Sequence, residues 1–240
     1  MVEPQELLVN SPSLIILTFW TSSPAFGRKF RVSSFIIQVT GMPPSARAAH
    51  GSACIETNKI VIYGGATGSG GLASDDLYHL DLREGVGIWN VINVGSKTPG
   101  KRYGHSLSYS KPFLIVFGGN VGDKTVNDCW ILNIENQPLT WSEVKCHKEI
   151  PCPRVYHSAA LCTAGSASGM IVIFGGRASD NNPLNDSWGL RRHRNGNWDW
   201  VRAPEKTSPT AGYQHSSLFV GSLMLVVGGK TNNINETLPM

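Results

Sequence analysis

Four histidines recur along this 240-residue chain, at His50, His105, His157 and His215. Imidazoles at such regular intervals have two chemical uses. They could converge on a common axis and hold a metal ion, or each could serve one structural unit by bonding the backbone of an adjacent loop. The second use is the expectation, because each histidine holds the same place in its unit and none has ligand spacing. Cys146, His147 and Cys152 form another cluster of soft donors. No second Cys-x-x-Cys or His-x-His pair accompanies them, so zinc is not expected there. The acidic residues are scattered, without bimetal spacing and without a nucleophile beside a base. No catalytic residue, metal or cofactor is therefore expected in this chain.

The histidines belong to a longer repeated string. Apolar runs end in a glycine pair four times, at Gly64-Gly65, Gly118-Gly119, Gly175-Gly176 and Gly228-Gly229, in steps of 54, 57 and 53 residues. A proline stands six residues before each histidine, and Arg47, Arg102 and Arg154 stand three before the first three. Asp76, Asp128 and Asp186 follow the glycine pairs, each two residues before an aromatic, and then come Trp89, Trp141 and Trp200. The unit is thus about 50 residues of four strands. The runs before the glycines, such as Ile60 to Tyr63, are apolar at every position. A strand with one wet face would alternate, so these strands are expected to touch protein on both faces.

Composition agrees with many short strands. There are 26 glycines and 14 prolines, and only 16% of residues are charged, which is too little charge for a coiled coil. The net charge of +4 calls for no polyanionic partner, so neither nucleic acid nor membrane is expected. Five cysteines without framework spacing fit a reducing compartment, and the location expected is cytoplasmic or nuclear. The apolar run Leu14–Leu17 is far too short to span a membrane and follows acidic residues, unlike a signal peptide.

These repeats resemble those of the kelch family, in which each repeat makes one four-stranded blade of a β-propeller. The expected fold is all-β, a partial kelch-type propeller of three complete and two incomplete blades. Blades are expected at about 49–94, 104–145 and 156–202, with an incomplete one at 214–240. Residues 35–39 read as the last strand of an earlier blade, and residues 1–34 as irregular or as a degenerate blade remnant. Asn235-Glu236-Thr237-Leu238 reads as the start of a third strand in the last blade. Two arrangements stay open. The N-terminal strand could complete the last blade and close a four-bladed ring, or the chain could be part of a larger propeller, which is the preferred reading. An open arc would expose an apolar blade face and invite self-association.

Over residues 43–230 the resemblance narrows. Pro43-Pro-Ser-Ala-Arg-Ala-Ala-His50, Asp75-Asp-Leu-Tyr-His-Leu-Asp-Leu82, Arg102-Tyr-Gly-His105, His193-Arg-Asn-Gly-Asn-Trp-Asp-Trp200, Ala203-Pro204 and Tyr213-Gln-His215 are similar to the N-terminal propeller of the Ser/Thr protein phosphatases with kelch-like domains. Those occur in plants and protist parasites. Gly212 departs from that family, which has Arg before Tyr-Gln-His. The resemblance implies a C-terminal metallophosphatase domain with Gly-Asp-x-His-Gly, Gly-Asp-x-x-Asp-Arg-Gly and Gly-Asn-His-Glu signatures. None occurs in this sequence, so no enzymatic activity is assigned to the chain. What carries over is a non-catalytic role in substrate recruitment or regulation through protein–protein contact. A stand-alone kelch adaptor, cytoskeletal or of the ubiquitin-ligase type, is the alternative.

Binding groups sit on loops held by a rigid scaffold. The loops between second and third strands, and those between blades, share one face. There Arg47, Lys101, Arg102, Tyr103, Asn120, Lys124, Arg154, Tyr156, Arg177, Tyr213 and Lys230 are the candidate partner-binding residues. Arg and Tyr are common interface anchors, and the cationic surplus suits a protein or peptide ligand that is acidic or phosphorylated. Arg47, Arg102 and Arg154 have a competing architectural reading, because a residue repeated in each blade is better explained by the repeat. The run Arg191-Arg192-His193-Arg194 reads as a solvated hairpin tip on the opposite face.

Overall fold

Apolar residues at every position of a strand require neighbours on both sides, and the computed structural model supplies them. It describes residues 8–11, 14–22, 30–83, 85–95, 97–146, 148–204 and 209–231, with side chains from residue 38 onward. The glycine-terminated runs become β5 (Lys59–Tyr63), β9 (Phe113–Phe117), β14 (Ile171–Phe174) and β19 (Leu223–Val227). Around them lie β1 (Leu8–Ser11), β2 (Leu14–Ser22), β3 (Phe30–Gly41), β4 (Gly51–Glu56), β6 (Leu77–Arg83), β7 (Val86–Ile92), β8 (Ser106–Ser110), β10 (Cys129–Asn133) and β11 (Trp141–Glu143). Then follow β12 (Arg154–Val155), β13 (Ser158–Leu161), β15 (Arg177–Ala178), β16 (Ser187–Arg192), β17 (Trp198–Arg202) and β18 (Ser216–Val220). The fold is all-β, with antiparallel sheets ordered β4-β5-β6-β7, β8-β9-β10-β11 and β13-β14-β16-β17, and the pair β18-β19. These are three full blades and the inner half of a fourth.

Successive side chains on the second strands point to opposite neighbours, as the period of two requires. Val61 and Tyr63 join Leu107, Val116 and Trp141 in the seam between blades one and two. Ile62 turns the other way, toward Val39, Leu80 and Trp89. Ile115 and Phe117 join Ile171, Ile173 and Trp200 in the seam between blades two and three. Each seam buries the tryptophan of the later blade against the aromatic that ends the earlier blade's second strand. Tyr63 lies 5.8 Å from Trp141 and Phe117 lies 4.7 Å from Trp200 between ring centroids. Flat rings of this size fill the gap that widens between diverging sheets.

The N-terminal segment departs from the sequence reading. Residues 35–39 lie within β3, which is not the outer strand of an earlier blade. It pairs in parallel with β7, Gln38 to Gly41 opposite Val86 to Trp89, and so adds a further strand to blade one. The outer edge of β7 offers unpaired N–H and C=O groups that an extended apolar strand can satisfy. A parallel neighbour needs a long crossover, and blade one itself provides it between Gly41 and Val86. Beyond β3 the sheet continues through β2 and β1, within the stretch 1–34 read as irregular or as a blade remnant. Ring closure by β3 onto the fourth blade does not occur, because β3 is committed to β7. The strand read at Asn235 to Leu238 lies outside the described residues.

Candidate functional site

The loop face is built from a backbone pattern that repeats blade by blade. Two residues after each arginine position the chain turns left-handed, at Ala49 (φ 53°), Gly104 (φ 66°), Tyr156 (φ 59°) and Gln214 (φ 60°). These residues hand hydrogen bonds from blade to blade. The N–H groups of Gly104, Tyr156 and Gln214 donate to the carbonyls of Ala49, Gly104 and Tyr156 at 2.9, 2.7 and 2.9 Å. A second girdle lies beside it, where the N–H groups of Gly65, Gly119 and Gly176 donate to the carbonyls of Arg102, Arg154 and Gly212 at 2.8, 2.9 and 2.8 Å. Glycine is required at that position. At Gly176 (φ +99°) a Cβ would stand 2.9 Å from the Val155 carbonyl oxygen and from His157 Cβ, so the blade's own incoming loop could not approach.

The repeated arginines lock this girdle from below. Arg102 Nη1 donates to the Gly118 carbonyl at 2.9 Å, and the guanidinium forks onto Asp128 at 2.8 and 3.0 Å. Arg154 does the same with the Gly175 carbonyl at 3.0 Å and Asp186 at 2.7 and 2.8 Å. Asp128 and Asp186 also accept the Trp130 and Trp188 indole N–H at 2.6 and 2.7 Å. Burial pushes both carboxyls up, but the arginine bonds and charges outweigh it and hold them below the usual carboxylate range. Arg102 and Arg154 are only 1% and 0% exposed, so neither is offered to a partner. Arg47 keeps the bond to its glycine carbonyl, Gly64 at 3.0 Å, but has no carboxylate fork and lies over Tyr78 at 5.2 Å. The role of the aspartates as fork partners was not read from sequence, although their spacing after each glycine pair was visible.

The histidines sit in the seams. His105, His157 and His215 each pack edge-on or tilted against the aromatic that closes the previous blade, Tyr63, Phe117 and Phe174, at 5.6, 5.3 and 5.2 Å. His157 Nε2 meets the Ser106 hydroxyl at 2.9 Å and His215 Nε2 donates to the Phe174 carbonyl at 3.1 Å. Burial pushes His105 down to about 3 and His157 well below its ordinary value, with His50 and His215 also lowered. All four are neutral at physiological pH. Among the described residues no three His, Cys, Asp or Glu side chains converge as a metal set; His147 lies outside them.

Above the girdle the side chains no longer repeat. The residue after each glycine pair bonds the incoming loop of its own blade through the backbone. Asn120 pairs with Tyr103, Arg177 with Val155 and Lys230 with Tyr213, and Ala66 with Ala48. Blade one therefore presents Ala48, Ala49 and Ala66, a floor of methyl groups. Blades two to four present tyrosines and polar or cationic heads. Tyr103 and Tyr156 lie 6.0 Å apart between ring centroids, and the Arg177 guanidinium stands 5.7 Å from Tyr156 and 5.5 Å from Tyr213. The cation thus joins blades three and four through aromatic rings, and the Tyr103–Tyr156 contact extends the row to blade two. Its Nε is buried without a hydrogen-bond partner. Among the described residues Arg177, Lys101, Lys124 and Lys230 make no ion pair. Lys124 borders an open depression of about 480 Å³ with Pro99, Val121 and Pro153. A tyrosine held left-handed is strained, and Tyr156 is pinned there by girdle bonds on either side. No sequence signal marks it, apart from glycine at the equivalent Gly104.

Stacked four-stranded blades with paired glycines, seam histidines and seam tryptophans define a kelch-type propeller segment. The chain belongs to the kelch-repeat family: a family model described as the KLHDC2/KLHL20/DRC7 Kelch-repeats domain matches residues 31–229. It is 35% identical over 190 residues to the serine/threonine-protein phosphatase BSL2 of Arabidopsis thaliana, covering 79% of this chain and 18% of that protein. It is 31% identical over 202 residues to Adagio protein 3 of the same plant, covering 80% of this chain and 32% of that one. An Arabidopsis F-box/kelch-repeat protein is 33% identical over 158 residues, 61% of this chain and 32% of its own length. The chain thus spans between about a fifth and a third of these relatives.

Proposed function

We propose that this chain is a non-catalytic protein-interaction module, the substrate-recruiting or regulatory kelch segment of a Ser/Thr protein phosphatase, and that it holds its partner on the loop face. The likeness to BSL2 supports the phosphatase connection. The observation that carries the binding reading is Arg177, fixed between Tyr156 and Tyr213 without a carboxylate of its own among the described residues. A guanidinium oriented in advance loses little freedom on binding. It suits a ligand carrying a carboxylate or phosphate, with Lys230 and Asn120 on the neighbouring blades as further polar contacts and the alanine floor of blade one as the side where the ligand backbone lies close.

The test is capture of partners from the cells that express the protein, comparing the wild-type chain with Lys101→Glu, Arg177→Glu and Lys230→Glu combined. Loss of the captured set with an unchanged thermal melt supports the reading. An unchanged captured set on a folded variant rejects the loop face.

A further inference from the structure

The densest basic run of the sequence is not a simple solvated tip. The hairpin between β16 and β17 lies at the end of blade three opposite the Gly175-Gly176 pair, because Phe174 pairs with Ser187 while Ile171 pairs with Leu190 and Arg192 with Trp198. There one carboxylate, Asp199, serves two cationic side chains and an imidazole. Arg191 donates to Asp199 through Nε at 3.2 Å and Nη2 at 3.1 Å, His193 Nε2 lies 3.1 Å from it, and Lys148 reaches it at 3.5 Å from the connection that leads into the blade. The four other exposed ion pairs each match one cation to one acid: Lys59 with Glu56, Arg83 with Asp81, Lys111 with Glu135 and Lys145 with Glu143. Among the described residues only here does positive charge exceed its partner.

The surplus is organised. Asp199 is buried and held down to about 2, first by the Arg191 hydrogen bonds, so it stays ionised and keeps Arg191 in place. Arg191 Nη1 has no partner among the described residues. Arg192, on the other face of the same strand, is fixed 4.8 Å over the Phe113 ring, which packs edge-on against Trp198 at 5.4 Å. Arg194 is exposed in the turn and unpaired among the described residues. Glu149, next to Lys148, is the one other acid in these segments. Two guanidinium groups already pinned, with Lys148 and Arg194 beside them, present planar and point-charge donors on one rigid hairpin.

We propose that this hairpin is a second binding surface, separate from the loop face, and that it takes a phosphorylated segment of a partner protein. Phosphate offers three acceptor oxygens to such donors, and a patch one hairpin wide matches a short segment. A nucleic-acid duplex would demand a longer cationic track to release enough counterions. The proposal does not depend on the loop-face reading.

The experiment is a fluorescence-anisotropy titration of the full chain at low ionic strength. The probe is a labelled peptide bearing two phosphoserines. Its unphosphorylated form, a short single-stranded RNA and phosphatidylserine vesicles are the competing arms. Lys148 and Arg194 are exposed, Lys148 at 71% of its side chain, so Lys148→Glu combined with Arg194→Glu keeps the fold. That variant is expected to weaken the phosphopeptide about tenfold, Arg194→Gln alone about threefold, and Arg177→Glu less than twofold. Equal binding of both peptide forms, an unaffected double variant, a larger loss from Arg177→Glu, or tighter binding of RNA or vesicles would each overturn it.

Discussion

Arg154 and Arg177 lie on the same blade and the same face, yet they belong to different regions. Arg154 is in the seam with blade two: no surface is exposed, and its guanidinium is spent on Asp186 and the Gly175 carbonyl. Arg177 is in the layer above, partly exposed, touching two tyrosine rings and, among the described residues, no acid. The seam repeats from blade to blade because its task is the same each time. The layer above does not repeat, because a ligand meets each blade once. Residue type therefore says little about role here, whereas repetition says a great deal.

The contrast is broken most sharply by removing the seam arginine. Arg154→Ala leaves Asp186 charged and half-buried, and is expected to cost about 3–5 kcal/mol in urea unfolding, as removal of one member of a buried ion pair does. A loss under about 1 kcal/mol would place Arg154 with the surface residues. Next in size is a pair of equivalent apolar truncations. Ile115 is 2% exposed in a closed seam, while its counterpart Leu225 is 46% exposed on the uncovered face of blade four. Ile115→Ala is expected to cost about 2–5 kcal/mol and Leu225→Ala less than about 1 kcal/mol. Similar losses at both sites would mean that the outer face of blade four is covered in solution.

The seam histidines give a third test. Their folded pKa values lie below the unfolded 6.5, so the unfolded chain binds more protons as the medium becomes acidic. Their stabilising effect is complete above about pH 6.5 and is lost progressively toward pH 3, by about 1.4 kcal/mol per pH unit per fully shifted group. The carboxylates of Asp128 and Asp186, held below their ordinary value, keep theirs above the usual carboxylate range and lose it progressively below about pH 5, so a fall in melting temperature already under way between about pH 6.5 and pH 5 reports the histidines. A flat melting temperature from pH 7 to about pH 4.5 would contradict their burial as neutral rings. The smallest effect on stability is expected in the upper layer. Arg177→Ala removes two partly buried cation–π contacts, worth about 1 kcal/mol together, while abolishing capture of the loop-face partner.

Most of the seam was legible in the sequence. Gly pairs, histidines and tryptophans at equal spacing marked the residues that recur in each blade, while the structure supplied which meet, Tyr63 with Trp141 and Phe117 with Trp200. The partner of the N-terminal strand was not legible. An apolar extended run such as Phe35 to Val39 states that it needs a neighbour and not which edge supplies it, and β7 was the open edge within reach. The strain at Tyr156 was hidden for a different reason. Tyrosine favours extended backbone, and only the glycine at the matching position of blade two pointed to a left-handed turn. The charge imbalance around Asp199 was hidden because Lys148 arrives from a connection 51 residues away in sequence.

The separation of seam from surface is tested most directly by selecting ligands from an unbiased library of phosphorylated and unphosphorylated peptides on the wild-type chain and on Arg177→Ala. The account predicts that the wild type enriches a set carrying carboxylates or phosphates, of which Arg177→Ala, with its fold unchanged, retains only the phosphorylated peptides held by the β16–β17 hairpin. Enrichment of neutral or basic peptides, or the same peptides on both proteins, would contradict it.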